Sequence, residues 1–182
     1  MRKIKWISVI RIVCISLIFV YIFRSYLFAS YVVNGKSMEP TLHDGNLLMV
    51  NKVIYDVTAI DRFDVIVFRA NEQEDYVKRV IGKPGDHIKY RNDVLYLNGT
   101  EVEESYLKPF RKKYATPLTE DFTLQEVTGE TEVPEGKLFV LGDHRKRSYD
   151  SRDIGFVDRE TVIGKVDIRY WPISELNFQF IQ

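Results

Sequence analysis

Two patterns of apolar and polar residues divide the chain. From 6 to 23 it reads WISVIRIVCISLIFVYIF, 18 residues in which Arg11 is the only charge. Apolar side chains fall on every face of a helix drawn through this run, where a core helix would show one stripe. At about 1.5 Å per residue its length matches a bilayer core. The pattern predicts a transmembrane signal anchor. Beyond it, short β-type runs are separated by the turn-forming pairs Asp44-Gly45, Pro84-Gly85, Asn98-Gly99 and Glu135-Gly136. Strands are expected near 30–34, 46–54, 64–68, 76–81, 87–90, 94–97, 137–141 and 162–170. The predicted fold class is mainly β, with an N-terminal transmembrane helix leading into a β-rich domain.

Charge orients this arrangement. Arg2, Lys3 and Lys5 precede the apolar run and Arg24 follows it, so residues 1–5 are expected in the cytoplasm, 6–23 in the membrane and 24–182 outside the cell. The stem of Arg11 is long enough to carry its guanidinium back to the headgroups. A cleaved secretory signal, with Ala29-Ser30 near its end, is the alternative. The run is longer than a usual signal core and Arg24 interrupts the approach to a cleavage point, so an uncleaved anchor fits better. Residues 108–134, basic at 111–113 and then rich in Thr and Glu, read as a surface excursion or small subdomain. Asn98-Gly99-Thr100 matches a glycosylation sequon, but its position between two β-type runs favours a hairpin turn.

Composition narrows the function. The 182 residues carry 26 Lys and Arg against 26 Asp and Glu, so no overall field draws the chain to nucleic acid. Cys14, the single cysteine, leaves no disulfide and no cysteine-based metal site. With neither, the outer part must be stabilised by packing.

Three segments could carry chemistry. In Gly35-Lys36-Ser37-Met38-Glu39-Pro40-Thr41-Leu42, glycine and proline restrict a turn that can present the Ser37 hydroxyl. In Asp75-Tyr76-Val77-Lys78-Arg79-Val80-Ile81-Gly82, strand alternation puts Lys78 on one face with Tyr76 and Val80. Burial there would lower its pKa and release a neutral amine as a base, whereas a lysine at a strand edge would reach water instead. The third segment, Gly142-Asp143-His144-Arg145-Lys146-Arg147-Ser148-Tyr149-Asp150-Ser151-Arg152-Asp153, reads either as a solvated loop or as a set of Asp–Arg pairs bracing a site. Ser148 and Ser151 add hydroxyls able to orient an amine. His43, His87 and His144 leave a Ser-His-Asp triad open, while no short ligand spacing marks a metal site.

Together these segments resemble the bacterial type I signal peptidases, especially the small single-span enzymes of Gram-positive bacteria. The resemblance runs through the anchor, SMEPTL at 37–42, RFDVIVF at 62–68, YVKRVIGKPGD at 76–86 and GDHRKRSYDSR at 142–152. It implies a membrane-bound serine endopeptidase that removes signal peptides from secreted preproteins, with Ser37 as nucleophile and Lys78 as general base. Gly35, Met38, Arg79, Asp143, Ser148, Asp150 and Arg152 would shape the site. Lysine at 78 implies the bacterial subclass, since endoplasmic-reticulum relatives carry histidine there. The sequence departs from the family pattern at His144, where asparagine is usual, and at Gly35, where some Gram-negative members place a serine donor. The oxyanion would then rest on backbone N–H groups, including that of Ser37.

The dyad would act without cofactor or metal. The implied partners are signal peptides and membrane lipid, not nucleic acid, and the chain reads as a monomer. Ser37 lies thirteen positions after Arg24, a tether of at most roughly 47 Å that keeps the site near the membrane. A non-catalytic membrane-tethered β-domain and a self-cleaving repressor-type Ser/Lys peptidase are the rival readings. The latter lacks support because the chain has an anchor in place of a DNA-binding head.

Overall fold

The computed structural model describes residues 6–113 and 117–178. Helix α1 spans Trp6–Leu27, outrunning the expected 6–23 by one turn and leading directly into strand β1, Phe28–Val32. From Val9 to Tyr26 its apolar side chains are exposed, and over Val9–Leu27 it is long and apolar enough to cross a membrane. Ser16 and Ser25 donate their hydroxyls to the carbonyls of Ile12 and Tyr21 one turn back, which satisfies both polar groups inside an apolar helix. Arg24 lies in the last turn, where a cation complements the helix dipole.

The remaining strands are β2 Leu47–Asn51, β3 Val65–Arg69, β4 Asp75–Gly82, β5 Ile88–Arg91, β6 Val94–Leu97, β7 Thr100–Val102, β8 Phe122–Thr123, β9 Lys137–Leu141, β10 Val157–Asp158 and β11 Val162–Trp171, with the short helix α2, Ile54–Val57, between β2 and β3. The eight expected strands are all present, with ends displaced by a few residues at most. The three unexpected ones, β7, β8 and β10, have only two or three residues each, too few for an alternation to show. One sheet has the order β1-β2-β11-β3-β4-β9-β10 and a smaller one β7-β6-β5-β8. All pairings between named strands are antiparallel. Register shifts in β11 against both β2 and β3 bend the larger sheet.

The larger sheet is buried on both faces. Val65 and Val67 pack with Val33, Met38, Leu42, Leu48, Val50 and Val166, while Ile66 and Phe68 pack with Ile60, Val80, Leu138, Val140 and Val157. This explains why β3 reads as a continuous apolar run. A third cluster joins the sheets through Ile81, Phe139 and Leu141 against Ile88, Tyr90, Leu95 and Leu97.

Residues 108–134, expected to form a surface excursion or small subdomain, contribute both secondary structure and core side chains. They supply helix α3 (Lys108–Lys113), β8 and helix α4 (Leu124–Thr128), and Phe122, Leu124 and Val133 are buried in the joining cluster. The polar composition concealed three anchors spaced too irregularly to suggest a periodic element. At Asn98-Gly99 both residues have positive φ, 52° and 81°, as a two-residue hairpin between β6 and β7 requires. The Asn98 side chain is committed to the turn, accepting from the His87 N–H and donating to Asp86.

Candidate active site

Ser37 lies in the turn connecting β1 to β2. The turn is tied at its base, where Gly35, at φ +91°, donates its N–H to Asp44 Oδ1 at 2.7 Å. The N–H of Leu42 bonds the Met38 carbonyl, and Met38 and Leu42 are buried in the cluster beneath. The Glu39–Pro40 peptide bond is cis. Because Met38 and Leu42 are held by packing, the serine between Gly35 and Met38 is not free to wander. The Ser37 carbonyl also accepts the backbone N–H of His144 at 3.0 Å, joining the turn to the loop after β9.

Lys78 comes from the middle of β4, and its Nζ lies 2.8 Å from Ser37 Oγ. The residue is only 4% exposed. Burial lowers its pKa from 10.5 to about 8, against Asp150 and Asp143, which raise it. Desolvation therefore prevails over two nearby carboxylates, and a substantial neutral fraction exists at mildly alkaline pH.

The next residue on β4 points into a different environment. Arg79 is fully buried and holds Asp143 with two N–H groups, Nε to Oδ1 at 2.9 Å and Nη2 to Oδ2 at 2.7 Å. Its Nη1 donates to the Phe63 carbonyl at 2.8 Å, and its guanidinium lies 3.9 Å from the centre of the Tyr106 ring. Thr41, from the serine's own turn, donates its hydroxyl to Asp143. Asp143 thus links the turn of Ser37 to the strand of Lys78 through charged hydrogen bonds.

Asp150 fixes the other end of the loop. It caps helix α5 (Ser151–Ile154), accepts the Gly142 N–H at 3.0 Å, and holds Arg152 through Nε and Nη2, each at 2.8 Å. Arg152 Nη2 also donates to the Arg145 carbonyl at 2.7 Å. Ser148 Oγ is buried and makes no hydrogen bond among the described residues; it packs over Gly142, beside the Ser37 carbonyl. Ser151 has a different task from the one expected, because its Oγ accepts the Val140 N–H at 2.9 Å and secures β9. An amide that the short pairing of β9 leaves exposed to the α5 side takes this hydroxyl as its acceptor.

Gly142 permits this crowding. A Cβ there would lie 2.1 Å from Ser148 Oγ and 2.4 Å from the Ser37 carbonyl oxygen. The hydroxyl could swing aside, but the carbonyl belongs to the turn. Gly142→Ala is expected to lower by at least about tenfold the kcat/KM of any reaction that uses the Ser37 hydroxyl, through displacement of Ser37, and stability by about 1–3 kcal/mol. Steady-state kinetics and urea unfolding read the two effects separately, and unchanged kinetics would show that the turn does not need this close approach.

The structure brings Gly35, Ser37, Met38, Lys78, Arg79, Asp143, Ser148, Asp150 and Arg152 into one region. It also shows participants that sequence reading passed over. Thr41 is one, and Arg145 with Glu104, Tyr90 and Tyr106 forms another group. Arg145 is buried, donating to Glu104 Oε1 at 2.5 Å, to both tyrosine oxygens at 2.9 Å, and to the Gly142 carbonyl at 3.1 Å. The hydrogen-bond partner of Ser37 Oγ is Lys78, while His43 and His87 sit near Glu39 and Glu132. Among the described residues, no group of three or more His, Cys, Asp or Glu side chains is arranged to hold a metal ion.

A groove of about 300 Å³ runs past the pair, lined by residues 31–38, 75–78, Arg147 and Tyr149. Its walls include two incompletely paired strand edges. β1 pairs only with β2, at the margin of the larger sheet, and residues 75–78 of β4 pair with β3 but not with β9, whose partners on β4 start at Arg79. Such edges suit an extended peptide, which can complete their hydrogen bonds as an added strand.

Residues 6–171 match the family model described as signal peptidase, peptidase S26. A signal peptidase I of Bacillus caldolyticus is 60% identical over 158 residues, covering 86% of this chain and 87% of the relative. A signal peptidase IB of Staphylococcus aureus (strain MRSA252) is 38% identical over 173 residues, covering 92% and 91%. Among solved structures, a signal peptidase I from Enterococcus faecalis V583 is similar with a TM-score of 0.57 and 42% identity, covering 60% of this chain and 98% of that one.

Proposed function

The chain belongs to the signal peptidase family, peptidase S26, and from that premise we propose that Ser37 is the nucleophile and Lys78 the general base with which it removes signal peptides from secreted preproteins. The observation that carries the assignment is the 2.8 Å contact between a desolvated lysine amine and the serine hydroxyl. Neutral Lys78 takes the proton from Ser37 Oγ as that oxygen attacks the scissile carbonyl. The peptide bond breaks, the amine of the mature chain leaves with a proton returned by Lys78, and the signal peptide remains as an ester on Ser37. Lys78 then draws a proton from water, which attacks the ester and restores the serine.

The other residues hold this pair in place. Asp143, bound by Arg79 and Thr41, fixes the loop after β9 to the serine's turn, and Asp150 with Arg152 fixes the loop's far end. Both carboxylates oppose the desolvation of Lys78 and keep its pKa from falling below about 8. Gly35 and Met38 shape the turn, and the Ser148 hydroxyl is available to orient the neutral amine. Backbone N–H groups around Ser37 receive the developing oxyanion.

The family and the exposed apolar α1 make this a membrane-associated enzyme. We place its N-terminus in the cytoplasm and the domain after α1 outside, on the excess of Arg2, Lys3 and Lys5 before the helix. In this reading lipid surrounds α1, and one chain supplies both Ser37 and Lys78, so a monomer suffices for the chemistry.

The pH dependence tests the base. Because the working form is the neutral amine and its pKa is lowered to about 8, kcat/KM is expected to rise with pH up to about 8 and then level. Below that the rate falls close to tenfold per pH unit. Initial rates on a purified preprotein with an Ala-X-Ala site, in detergent from pH 6 to 10, measure this directly. A rate that falls from pH 6 to 8 would remove Lys78 from the role.

A further inference from the structure

The groove of residues 31–38 and 75–78 contains Ser37, and a second cavity, of about 370 Å³, adjoins it through Arg147 and through Glu39, which follows Met38 in the serine's turn. Glu39, Phe110, Leu118, His144, Lys146 and Arg147 contribute to its wall. Among the described residues Arg147 is the one that lines both cavities, so it stands beside the path of a peptide that crosses the nucleophile.

Most charged groups of the second cavity are already occupied. Asp143 is held by Arg79 and Arg145 by Glu104, while Glu39 lies 4.0 Å from His43. The Arg147 side chain is exposed and, among the described residues, has neither a hydrogen bond nor an ion pair. Its position is nevertheless set: its N–H bonds the His144 carbonyl at 2.8 Å, and the turn that carries it is anchored by buried Arg145 and packed Ser148. A guanidinium with no partner of its own, carried on a backbone fixed in this way, suits an acidic group on a visiting chain.

The direction of the substrate follows from the membrane. The apolar part of a signal peptide precedes the cut and stays with the bilayer, and the first groove begins at β1, which emerges from α1. The released mature chain therefore occupies the cavity beyond Ser37. We propose that Arg147 is a specificity-determining residue that reads the charge of the first residues of the mature chain, favouring Asp or Glu over Lys or Arg. The inference rests on the reading of Ser37 and Lys78 as the cutting pair.

Its test compares preproteins that share a signal peptide and an Ala-X-Ala site but carry Asp, Asn or Lys at the second and third mature positions. With the full-length protein in detergent at low salt, the Asp substrate is expected to exceed the Lys substrate about threefold in kcat/KM, mostly through KM. Arg147→Gln should abolish that preference and Arg147→Glu invert it, a swing of about tenfold, and added salt should flatten both biases. Equal discrimination by wild type and both variants would overturn the inference while leaving the dyad untouched. Failure of the wild type to cut even the Asn substrate would overturn the dyad reading itself.

Discussion

Ser37→Ala and Lys78→Met are each expected to lower kcat for preprotein cleavage by about 10⁴-fold or more, and the double variant to be no slower than either alone. The members of a nucleophile–base pair act as a unit, so removing one leaves little for the other to lose. Lys78→Met keeps an unbranched stem and replaces a desolvated amine with an apolar group, so the fold should be at least as stable as in the wild type. Lys78→Arg separates charge from basicity, because a guanidinium keeps a cation near Ser37 but does not give up its proton. It should be as inactive as Lys78→Met. Single-turnover assays on an Ala-X-Ala preprotein, with folding checked by circular dichroism, decide the matter. A variant of either residue that retains a tenth of wild-type activity would exclude the pair as the catalytic machinery.

Opening the Arg79–Asp143 pair should have the largest effect on stability. Both side chains are fully buried, and loss of one partner strands a charge without water. Arg79→Met or Asp143→Ala is expected to cost about 3–5 kcal/mol, measured by urea unfolding in detergent. The combined change Arg79→Met with Asp143→Leu should recover part of that loss, because no unpaired ion remains. Removal of Asp143 has a second readout. Its charge raises the pKa of Lys78, so its loss should move the rise of the pH–rate profile to lower pH in whatever folded fraction survives. A stability loss without that displacement would mean that Asp143 does not act on the base.

The extent to which these features can be read from the chain differs by element. β6 and β9 were expected at their observed ends because each is a short apolar run between turn signals. β8 and β10 escaped notice because a two-residue strand exists through its neighbour and has no period of its own. Gly35-Lys36-Ser37 and Lys78 were visible as candidates, but nothing local separated a reactive serine from a loop serine or a buried lysine from an exposed one. Family resemblance, carried by the order of several motifs, supplied that distinction.

The run His144-Arg145-Lys146-Arg147 shows the same limit within four residues. In the chain these are consecutive cationic or titratable side chains. In the fold Arg145 is buried between Glu104 and two tyrosines, whereas Lys146 and Arg147 remain exposed. Elements with little chemical likeness to one another supply the partners, from the turn that follows Glu104 and carries Tyr106 to β5 at Tyr90, and no pattern near Arg145 announces them.

The sequence by itself determined the apolar helix, the β-rich class, the charge balance and the family, because composition, periodicity and motif order are properties of neighbours along the chain. Tertiary structure decided which lysine loses its water, which arginine is locked and which stays available, and that Ser37 Oγ and Lys78 Nζ meet at 2.8 Å across 41 residues of chain. Desolvation and hydrogen bonding depend on what surrounds a group in space, and that is established only when distant segments pack together.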